Sequence, residues 1–323
     1  MLTSDFDYQL PEELIASEPL ADRSASRMLV VHRESGTIEH RSFTDLPKYL
    51  RPDDLLVLND TRVLPARYFS NDGTKELLRL TFATPTLWRC MVKPGKKLRV
   101  GHTIAIGSAT GTVKEIYENG DRLIEFDQMV DEAAFGHLAL LRTWSVRSAL
   151  RTRSATKQSL PNTSSIAAPT AGLHFTPELL ASVPHTFVTL HVGVGTFQPV
   201  KADRITDHVM HSERYFLSEA SAQRINEAGR VIAVGTTATR VLESIAQKHG
   251  GLKAAEGETS IFIYPPYEFR VVDALVTNFH LPKSTLMMLV SALAGKDLIF
   301  RAYEEAIRER YRFYSYGDCM LIL

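Results

Sequence analysis

The sequence is poor in cysteine and contains no long apolar run. Its 323 residues include only two cysteines, Cys90 and Cys319, which allow at most one disulfide and lack the C-x-x-C spacing of a metal site. No apolar run approaches the roughly 18 residues that cross a bilayer, and the first 20 residues lack the basic region and apolar core of a secretion signal. These absences favour a soluble protein of a reducing compartment, and we expect a cytoplasmic one.

An excess of charge of either sign is also missing. Lys and Arg together number 37, as do Asp and Glu, so the formal net charge is +0. A nucleic-acid partner would therefore be held by local basic patches rather than by the whole surface. Because 44% of the residues are hydrophobic, the composition excludes disorder, and the length favours two domains over one.

Several familiar site motifs are absent as well. The chain contains no G-x-x-x-x-G-K-[ST], G-x-G-x-x-G, G-x-S-x-G or H-E-x-x-H sequence. Gly193 and Gly195 are separated by one residue, but no third glycine follows at the required spacing. A Rossmann dinucleotide site is therefore disfavoured, as are the P-loop, the nucleophile elbow and the zinc-protease helix.

Two hydrophobic patterns divide the chain. Between residues 75 and 126, five short segments with strand character follow one another, and the last two flank Asn119-Gly120, a pair typical of a type I′ hairpin turn. These segments predict a small β-barrel. They are KELLRLTF, LWRCMV, HTIAIG, GTVKEIY and RLIEF.

Elsewhere, apolar runs alternate with helix-like stretches, which predicts a mostly parallel sheet. We expect helices from 219 to 228, from 236 or 237 to about 248, and from 297 to 310. The fold class is therefore α/β, a discontinuous α/β domain with an inserted small β-barrel domain. The predicted boundaries are 1–66, 67–150 for the insert, and 151–323. The apolar runs lie at 28–32, 54–60, 187–192, 230–235, 260–264 and 273–278.

Six patches rich in Gly, Thr, His or Asn stand beside these apolar runs. A Gly or Thr just past a strand can present backbone N–H groups and hydroxyls to an anion or a ribose. Any single patch could be an ordinary turn, but six together predict one shared pocket. The patches are NDTR (59–62), APTAGLHFT (168–176), HVGVGTF (191–197), HVMHSE (208–213), VGTTATR (234–240) and TNFHLPKST (277–285).

The histidines of these patches allow two kinds of chemistry. His208, His211 and Glu213 form H-x-x-H-x-E, which could bind a metal together with other histidines. Acid and base catalysis is favoured over metal binding, because imidazole titrates near neutral pH and a neighbouring carboxylate can assist it. A third interpretation, in which the histidines only bond loops, stays open.

Two further clusters could meet a nucleic acid. The basic run KPGKKLR (93–99) could contact phosphates, although a solvated strand end is equally consistent with it. The aromatic run YRFYSYGD (311–318) could stack on bases or anchor the chain in the core.

The six patches and the segments around them resemble the S-adenosylmethionine:tRNA ribosyltransferase-isomerase family of queuosine biosynthesis. The similarity runs in order along nearly the whole chain, and its motifs are long. They are SDFDYQLPEELIA, ASRMLVV, LLVLNDTRVLPAR, VKPGKKL, AAPTAGLHFT, TLHVGVGTFQPV, HVMHSE, AVGTTATRVLES, DALVTNFHLPKSTLMMLVSALAG and YRFYSYGDCMLI.

The resemblance implies a specific reaction. S-adenosylmethionine would donate its ribosyl part to 7-aminomethyl-7-deazaguanine at the wobble position of a tRNA, giving epoxyqueuosine-tRNA, adenine and methionine. It implies S-adenosylmethionine as co-substrate. We expect no further cofactor, no metal and no membrane partner, and we expect a monomer. It also implies an α/β domain that carries an inserted β-barrel, as the patterns predict.

Residue roles follow from the chemistry that the resemblance implies. We assign proton transfer to Glu213, His211 and His174, whose side chains have suitable pKa values. Lys93, Lys96 and Lys97 are predicted to bind tRNA phosphates. Predicted substrate-binding residues are Asn59, Arg62, Thr170, Gly172, His191, Gly193, Gly195, Thr196, Thr236, Thr237, Arg240, Asn278, His280 and Ser284.

One segment departs from the family. No Asp or Glu occurs between Glu132 and Glu178, and the family's Leu-Pro-Pro-Tyr and Glu-Arg-Tyr-Gln-Thr stretches are missing there. Possible codons for residues 142–147 and 154–163 give family-like sequence when read one base away. We therefore hypothesise that residues 141–164 are out of frame, exposed and irregular. The alternative for this segment is a genuine basic loop that binds tRNA. The alternatives for the function of the chain are a catalytically impaired tRNA-binding relative and, more distantly, a metal-dependent hydrolase.

Overall fold

The computed structural model describes residues 1–61, 65–137, 169–193, 200 and 202–323. The chain divides into two compact units. The described part of the first, which we call the α/β unit, is 1–61, 169–193, 200 and 202–323, and that of the second, the barrel unit, is 65–137. The hypothesis on residues 141–164 lies outside the described residues.

Short strands build both units. Strands β4 to β9 belong to the barrel unit and the others to the α/β unit. They are β1 (Arg27–Val31), β2 (Ile38–Ser42), β3 (Asp54–Asn59), β4 (Arg67–Phe69), β5 (Glu76–Thr84), β6 (Leu87–Lys93), β7 (Thr103–Ile106), β8 (Ala109–Ile116), β9 (Arg122–Phe126), β10 (His185–Leu190), β11 (Glu213–Leu217), β12 (Arg230–Val234), β13 (Ala255–Thr259), β14 (Ala274–Asn278) and β15 (Cys319–Ile322).

Among the described residues, the α/β unit has a nine-stranded sheet in the order β13-β11-β10-β3-β12-β14-β15-β1-β2. Strands β10, β3, β12 and β14 are parallel to one another, and all residues of β3 and β14 are buried. Burial on both faces explains why these strands are almost wholly apolar rather than alternating. Because the four strands run in the same direction, their carboxyl ends lie along one edge of the sheet.

Helices cover the two faces of this sheet. The predicted helices at 219–228, at 236 or 237 to 248 and at 297–310 are confirmed within two residues, and Ser218 Oγ accepts the backbone N–H of Ser221 at 3.1 Å as the predicted cap. One short helix lies in the barrel unit. The helices are α1 (Glu132–Phe135), α2 (Pro177–Ala181), α3 (Glu219–Glu227), α4 (Thr236–His249), α5 (Thr285–Ala294) and α6 (Lys296–Arg308).

The strand predicted at 260–264 is wrong, because the strand in this region is β13, which ends at Thr259. β13 pairs with β11, and the last pair is Glu213 with Thr259, where β11 begins. The residues that follow Thr259 therefore extend beyond the end of β11. Thr259 Oγ1 accepts the backbone N–H of Ile261 at 3.1 Å, and Ile263 is buried in the core. The apolar run is a core-packing segment, not a strand.

The barrel unit contains a six-stranded antiparallel sheet in the order β4-β5-β6-β9-β8-β7. Its two edges approach each other just past β4, where Asn71 donates its backbone N–H to Ala105 O of β7 at 2.9 Å. Tyr68 and Trp88 fill the interior. The predicted fold class, an α/β domain with an inserted barrel-like sheet, is confirmed.

The hairpin between β8 and β9 is present, but its turn differs from the prediction. Residues 117–121 connect the strands, and Gly120 has φ +88° whereas Asn119 has no positive φ. A type I′ turn needs positive φ at both central residues. Asn119 instead accepts the backbone N–H of Asp121 through its Oδ1 at 3.1 Å, so its side chain caps a longer turn.

The aromatic run at 311–318 anchors the chain in the core. Tyr311, Phe313 and Tyr316 are buried, and β15 follows directly between β14 and β1. These three rings are therefore not free to stack on bases. No helix in the described part of the chain is long and apolar enough to cross a bilayer.

Candidate active site

Four of the six predicted patches meet at the carboxyl edge of the parallel strands. β3 leads into Thr61, β10 into His191, β12 into Gly235, and β14 ends at Asn278. Ligands of open α/β sheets bind at this edge, because loops and helix N-termini converge there. The prediction of one shared region therefore matches the strand order for these patches.

Glu213 and Arg240 form a buried ion pair at this edge. Arg240 Nη1 donates to Glu213 Oε2, and the backbone N–H of Gly193 donates to Glu213 Oε1 at 2.8 Å. Arg240 is only 7% exposed, and its Nη2 has no hydrogen-bond partner among the described residues. One carboxylate thus joins the loop after β10 to helix α4, while one donor of the guanidinium stays unused.

A pocket lies beside this pair. It brings together His208, His211, Glu213 and Arg240, four of the residues that the sequence singled out. His211 is exposed, whereas His208 is partly buried and its pKa is lowered by burial and by His211. Its apolar lining includes Met210, Ile261, Ile263, Leu286 and Leu289.

His174 lies apart from that pocket in a buried hydrogen-bonded cluster. Its Nε2 faces Asn278 Nδ2 at 3.2 Å and Arg23 Nη2 at 3.4 Å, and both neighbours are donors. The ring is therefore a neutral acceptor at Nε2, and burial together with Arg23 holds the pKa of His174 well below its usual value. Thr170 Oγ1 adds a hydrogen bond to Asn278 Oδ1 at 3.4 Å.

Arg23 is the member of this cluster that sequence reasoning missed. Its Nη1 donates to Tyr316 O at 2.8 Å, and burial lowers its pKa to about 10. No carboxylate forms an ion pair with it within the described residues. A single arginine ahead of a strand belongs to no spacing pattern. Only its place just before the family-like ASRMLVV motif, which begins at Ala25, could have drawn attention to it.

Several side chains that were predicted to bind substrate already form hydrogen bonds within the protein. Asn59 Oδ1 accepts the backbone N–H groups of Thr61 and Leu190, each at 3.0 Å, and therefore ties β3 to β10. Ser284 Oγ donates to Leu281 O at 2.7 Å and accepts the N–H of Met287 at 3.1 Å as the cap of α5.

Two histidines of the set are held by neighbouring hydroxyls. His280 Nε2 lies 3.0 Å from Thr277 Oγ1, and burial lowers its pKa to about 3. His191 Nδ1 lies 3.1 Å from Thr61 Oγ1, and burial together with Arg214 lowers the pKa of His191. Both rings are therefore neutral at physiological pH.

The start of α4 offers donors that the described part of the fold leaves unused. Gly235 has φ +86°, and it begins the helix without a side-chain cap. Thr236 is buried, and Thr237 Oγ1 is buried without a hydrogen-bond partner. Gly172 lies in the short 3-10 helix Thr170–His174, where its nearest contact, Leu58, would be 4.0 Å from an added Cβ.

Arg62, Gly195 and Thr196 lie outside the described residues. Within the residues that are described, no three His, Cys, Asp or Glu side chains are placed to share a metal ion. The predicted tRNA-binding residues Lys93, Lys96 and Lys97 are all exposed in the barrel unit, at the end of β6 and in the turn after it.

Comparisons with known proteins agree over the full length of the chain. A family model described as a queuosine biosynthesis protein matches residues 3–322. The S-adenosylmethionine:tRNA ribosyltransferase-isomerases of Symbiobacterium thermophilum and Halothermothrix orenii are 50% and 46% identical to the chain, with 100% of this chain and of each relative covered. The crystal structure of the S-adenosylmethionine tRNA ribosyltransferase from Thermotoga maritima is similar with a TM-score of 0.58 and 39% identity, over 99% of this chain and 100% of that one.

Proposed function

We propose a reaction for this chain on the premise that it belongs to the queuosine biosynthesis protein family, whose model matches residues 3–322. The enzyme transfers the ribosyl moiety of S-adenosylmethionine to 7-aminomethyl-7-deazaguanine at the wobble position of a tRNA and isomerises it. The products are epoxyqueuosine-tRNA, adenine and methionine. Full-length relatives that are 46–50% identical bear the name of this transferase activity.

The observation that carries the proposal within the molecule is the pocket that contains His208, His211, Glu213 and Arg240 at the carboxyl edge of the sheet. The reaction needs a base for the acidic proton beside the sulfonium and an acid for the departing adenine. Imidazole and carboxylate side chains supply both kinds of group without a metal. We propose that S-adenosylmethionine is the co-substrate and that no other cofactor takes part.

We propose that His211 and Glu213 transfer protons in this pocket. His211 is exposed and therefore accessible to a substrate, and a carboxylate retains acceptor positions even when it is paired. The same chemical grounds point to His174, but its full burial and its partners Asn278 and Arg23 favour a supporting role. We propose that His174 positions Asn278.

We propose that substrate hydroxyls and carbonyls meet unused donors at the same edge. In the described part of the chain, Thr237 Oγ1 and the first N–H groups of α4 lack partners of their own, and the backbone of Gly193 already holds Glu213 in place. The exposed residues Lys93, Lys96 and Lys97 are our proposed phosphate ligands for the tRNA. We further propose that the enzyme acts as a monomer in the cytoplasm.

The test is product formation with a defined tRNA. The protein is incubated with S-adenosylmethionine and a tRNA that carries 7-aminomethyl-7-deazaguanine, and free adenine and epoxyqueuosine are measured by chromatography and mass spectrometry. We expect equal amounts of both, and neither with a tRNA that carries guanine at the same position. A folded protein that releases no adenine would contradict the proposal.

The acid-poor segment between Glu132 and Glu178 favours one second candidate, a tRNA-binding relative with impaired catalysis. Such a protein would bind the same tRNA with the usual salt dependence but release adenine at least about 100-fold more slowly, the size of a missing acid or base contribution. Nucleotide sequencing across codons 130 to 170 decides whether the segment is out of frame.

A further inference from the structure

We propose that the pocket beside the Glu213–Arg240 pair binds the methionine part of S-adenosylmethionine, with the substrate carboxylate on Arg240 Nη2. The inference rests on the proposed function and specifies which end of the substrate enters which pocket. Three features carry it: an unsatisfied guanidinium, a helix N-terminus and an apolar wall.

Arg240 has one buried donor to spare. Its Nη1 is paired with Glu213, and its Nε lies 3.4 Å from Ile261 O, but Nη2 is buried and has no partner among the described residues. A buried donor without an acceptor costs free energy, about 1 to 3 kcal/mol and more for a charged group. A carboxylate is the acceptor that fits a guanidinium best, because the hydrogen bond is charge-assisted.

The N-terminus of α5 adds a second positive feature to the same pocket. Thr285 and Leu286, the first two residues of this ten-residue helix, line the pocket. Ser284 caps only the N–H of Met287, at 3.1 Å, so the helix geometry leaves the amides of Thr285 and Leu286 without intrahelical acceptors. The positive end of the helix therefore favours an anion where Arg240 also does.

The remaining walls suit an unbranched apolar chain. Met210, Ile261, Ile263 and Leu289 line the pocket with hydrocarbon and thioether groups, which match the two methylenes and the sulfur of methionine. The ring of Phe262 and the carboxylate of Glu213 lie in the same lining and stabilise a cationic sulfonium. The pocket therefore offers a partner to each end of the methionine part, Arg240 to its carboxylate and Phe262 with Glu213 to its sulfonium.

The first experiment fills the apolar part and leaves the ion pair intact. Leu286→Trp is compared with Val100→Trp, an exposed position of the barrel unit, by equilibrium dialysis of labelled S-adenosylmethionine. We expect Leu286→Trp to weaken binding at least about tenfold and the control to leave it unchanged. Free adenine, measured as a separate ligand, should bind both variants equally.

Unchanged binding of S-adenosylmethionine to Leu286→Trp would overturn the proposal. So would a selective loss of adenine binding, because the pocket would then hold the base rather than the amino acid.

The second experiment removes the carboxylate from the ligand. The parent protein should bind S-adenosylmethionine about 10 to 100 times more tightly than its decarboxylated analogue, the range expected for hydrogen bonds to a charged group. The double variant Arg240→Gln with Glu213→Gln replaces the ion pair by a neutral pair of similar shape and leaves no buried unpaired charge. In it, the preference should fall to within about threefold.

A preference that persists in the double variant would place the carboxylate elsewhere and overturn the proposal. Both measurements record binding, not turnover, so they stand apart from the test of the reaction. If the parent releases adenine but keeps its preference in the double variant, only the methionine site is wrong. If the parent releases no adenine, the proposed function is wrong whatever the binding data.

Discussion

The α/β unit and the barrel unit bury their ion pairs to different degrees. In the α/β unit, both side chains of Glu213–Arg240 are buried, and in Asp54–Arg230 the carboxylate is buried and the guanidinium is 13% exposed. In the barrel unit, the buried side chains of Arg79 and Asp121 pair with the partly exposed side chains of Glu132 and Arg89, and the run of Lys93, Lys96 and Lys97 is exposed to solvent. Removing one partner of a buried pair leaves an uncompensated charge, but an exposed lysine contributes little to stability. Substitutions in the Glu213–Arg240 pair should therefore change folding and chemistry, and substitutions of the three lysines should change salt-dependent binding.

Arg240→Met tests the buried side of this contrast most severely. It leaves the Glu213 carboxylate buried without its cation, and we expect the free energy of unfolding to fall by about 3 to 5 kcal/mol. Urea denaturation measures the change, with Lys253→Met at an exposed position as the control. A loss below about 1 kcal/mol would mean that the pair behaves like a surface pair, and the contrast between the units would fail.

Glu213→Gln tests the chemistry at the same position, and it should also lower the free energy of unfolding, because Arg240 stays buried without its anion. The amide keeps the shape and can still accept from Gly193, so binding of S-adenosylmethionine should change less than about tenfold while adenine release falls at least about 100-fold. Equilibrium dialysis and an adenine assay measure the two quantities. Glu258→Gln, exposed on the neighbouring strand β13, is the matched control. If turnover stays within about tenfold of the parent, Glu213 is not the base and His211→Asn is the next variant to assay.

The buried histidines predict how stability depends on pH. Burial lowers the pKa of His280 to about 3, whereas an unfolded histidine titrates near 6.5. Below pH 6.5 the unfolded chain therefore binds a proton that the folded chain does not, and the free energy of unfolding falls as the pH falls.

Between pH 7 and pH 5 this single group should account for about 2 kcal/mol of that fall. His280→Gln should reduce the decrease by that amount in urea titrations at several pH values, whereas His249→Gln, at an exposed position, should not. Equal decreases in the parent and in His280→Gln would show that His280 is not held neutral by burial.

The smallest effect is expected for the exposed lysines of the barrel unit. Changing Lys93, Lys96 and Lys97 to Ala should leave stability unchanged and lower the salt slope of tRNA binding by up to about 0.9 for each phosphate that these lysines neutralise. Fluorescence anisotropy at several salt concentrations measures the slope, and Lys48→Ala with Lys253→Ala, exposed in the α/β unit, is the control. An unchanged slope would mean that these lysines do not contact tRNA phosphates and that the run is an ordinary solvated turn.

Hydrophobic patterns predicted the parallel centre of the α/β sheet but not its antiparallel pairs. The buried strands β3, β12 and β14 are short apolar runs in the sequence, and their alternation with helices predicted a mostly parallel sheet. That prediction was wrong in proportion, because four of the eight strand pairs described in this sheet are parallel and four are antiparallel.

The strand predicted at 260–264 was wrong because a strand needs a neighbouring strand to pair with. β11 begins at Glu213, opposite Thr259, so the residues after Thr259 lie beyond its end. The type I′ turn predicted at Asn119-Gly120 was wrong because the side chain of Asn119 accepts the backbone N–H of Asp121. The dihedral preferences of the two residues do not reveal this hydrogen bond.

The site was predictable as a region but not residue by residue. Parallel strands bring their carboxyl ends together, so patches beside His191, Gly235 and Asn278 had to converge. Asn59 and Ser284 differ in how far away the hydrogen-bond partner lies. Asn59 Oδ1 accepts the backbone N–H of Leu190, which is 131 residues away in the sequence, whereas Ser284 caps the helix that it precedes. Arg23 escaped notice because its partners are backbone carbonyls near Tyr316.

The position of β15 bears on the order in which the molecule folds. Met28 of β1 pairs with Cys319 of β15, whereas the barrel strands all lie between Arg67 and Phe126 and pair among themselves. On a ribosome, β1 is made early and must wait for most of the chain before its parallel neighbour exists, but the barrel can close as soon as its own residues emerge. Pairing across so long a loop also slows the search for the native arrangement. During synthesis, β2 can pair with one edge of the apolar strand β1, but the other edge stays unpaired until β15 is made and is open to aggregation.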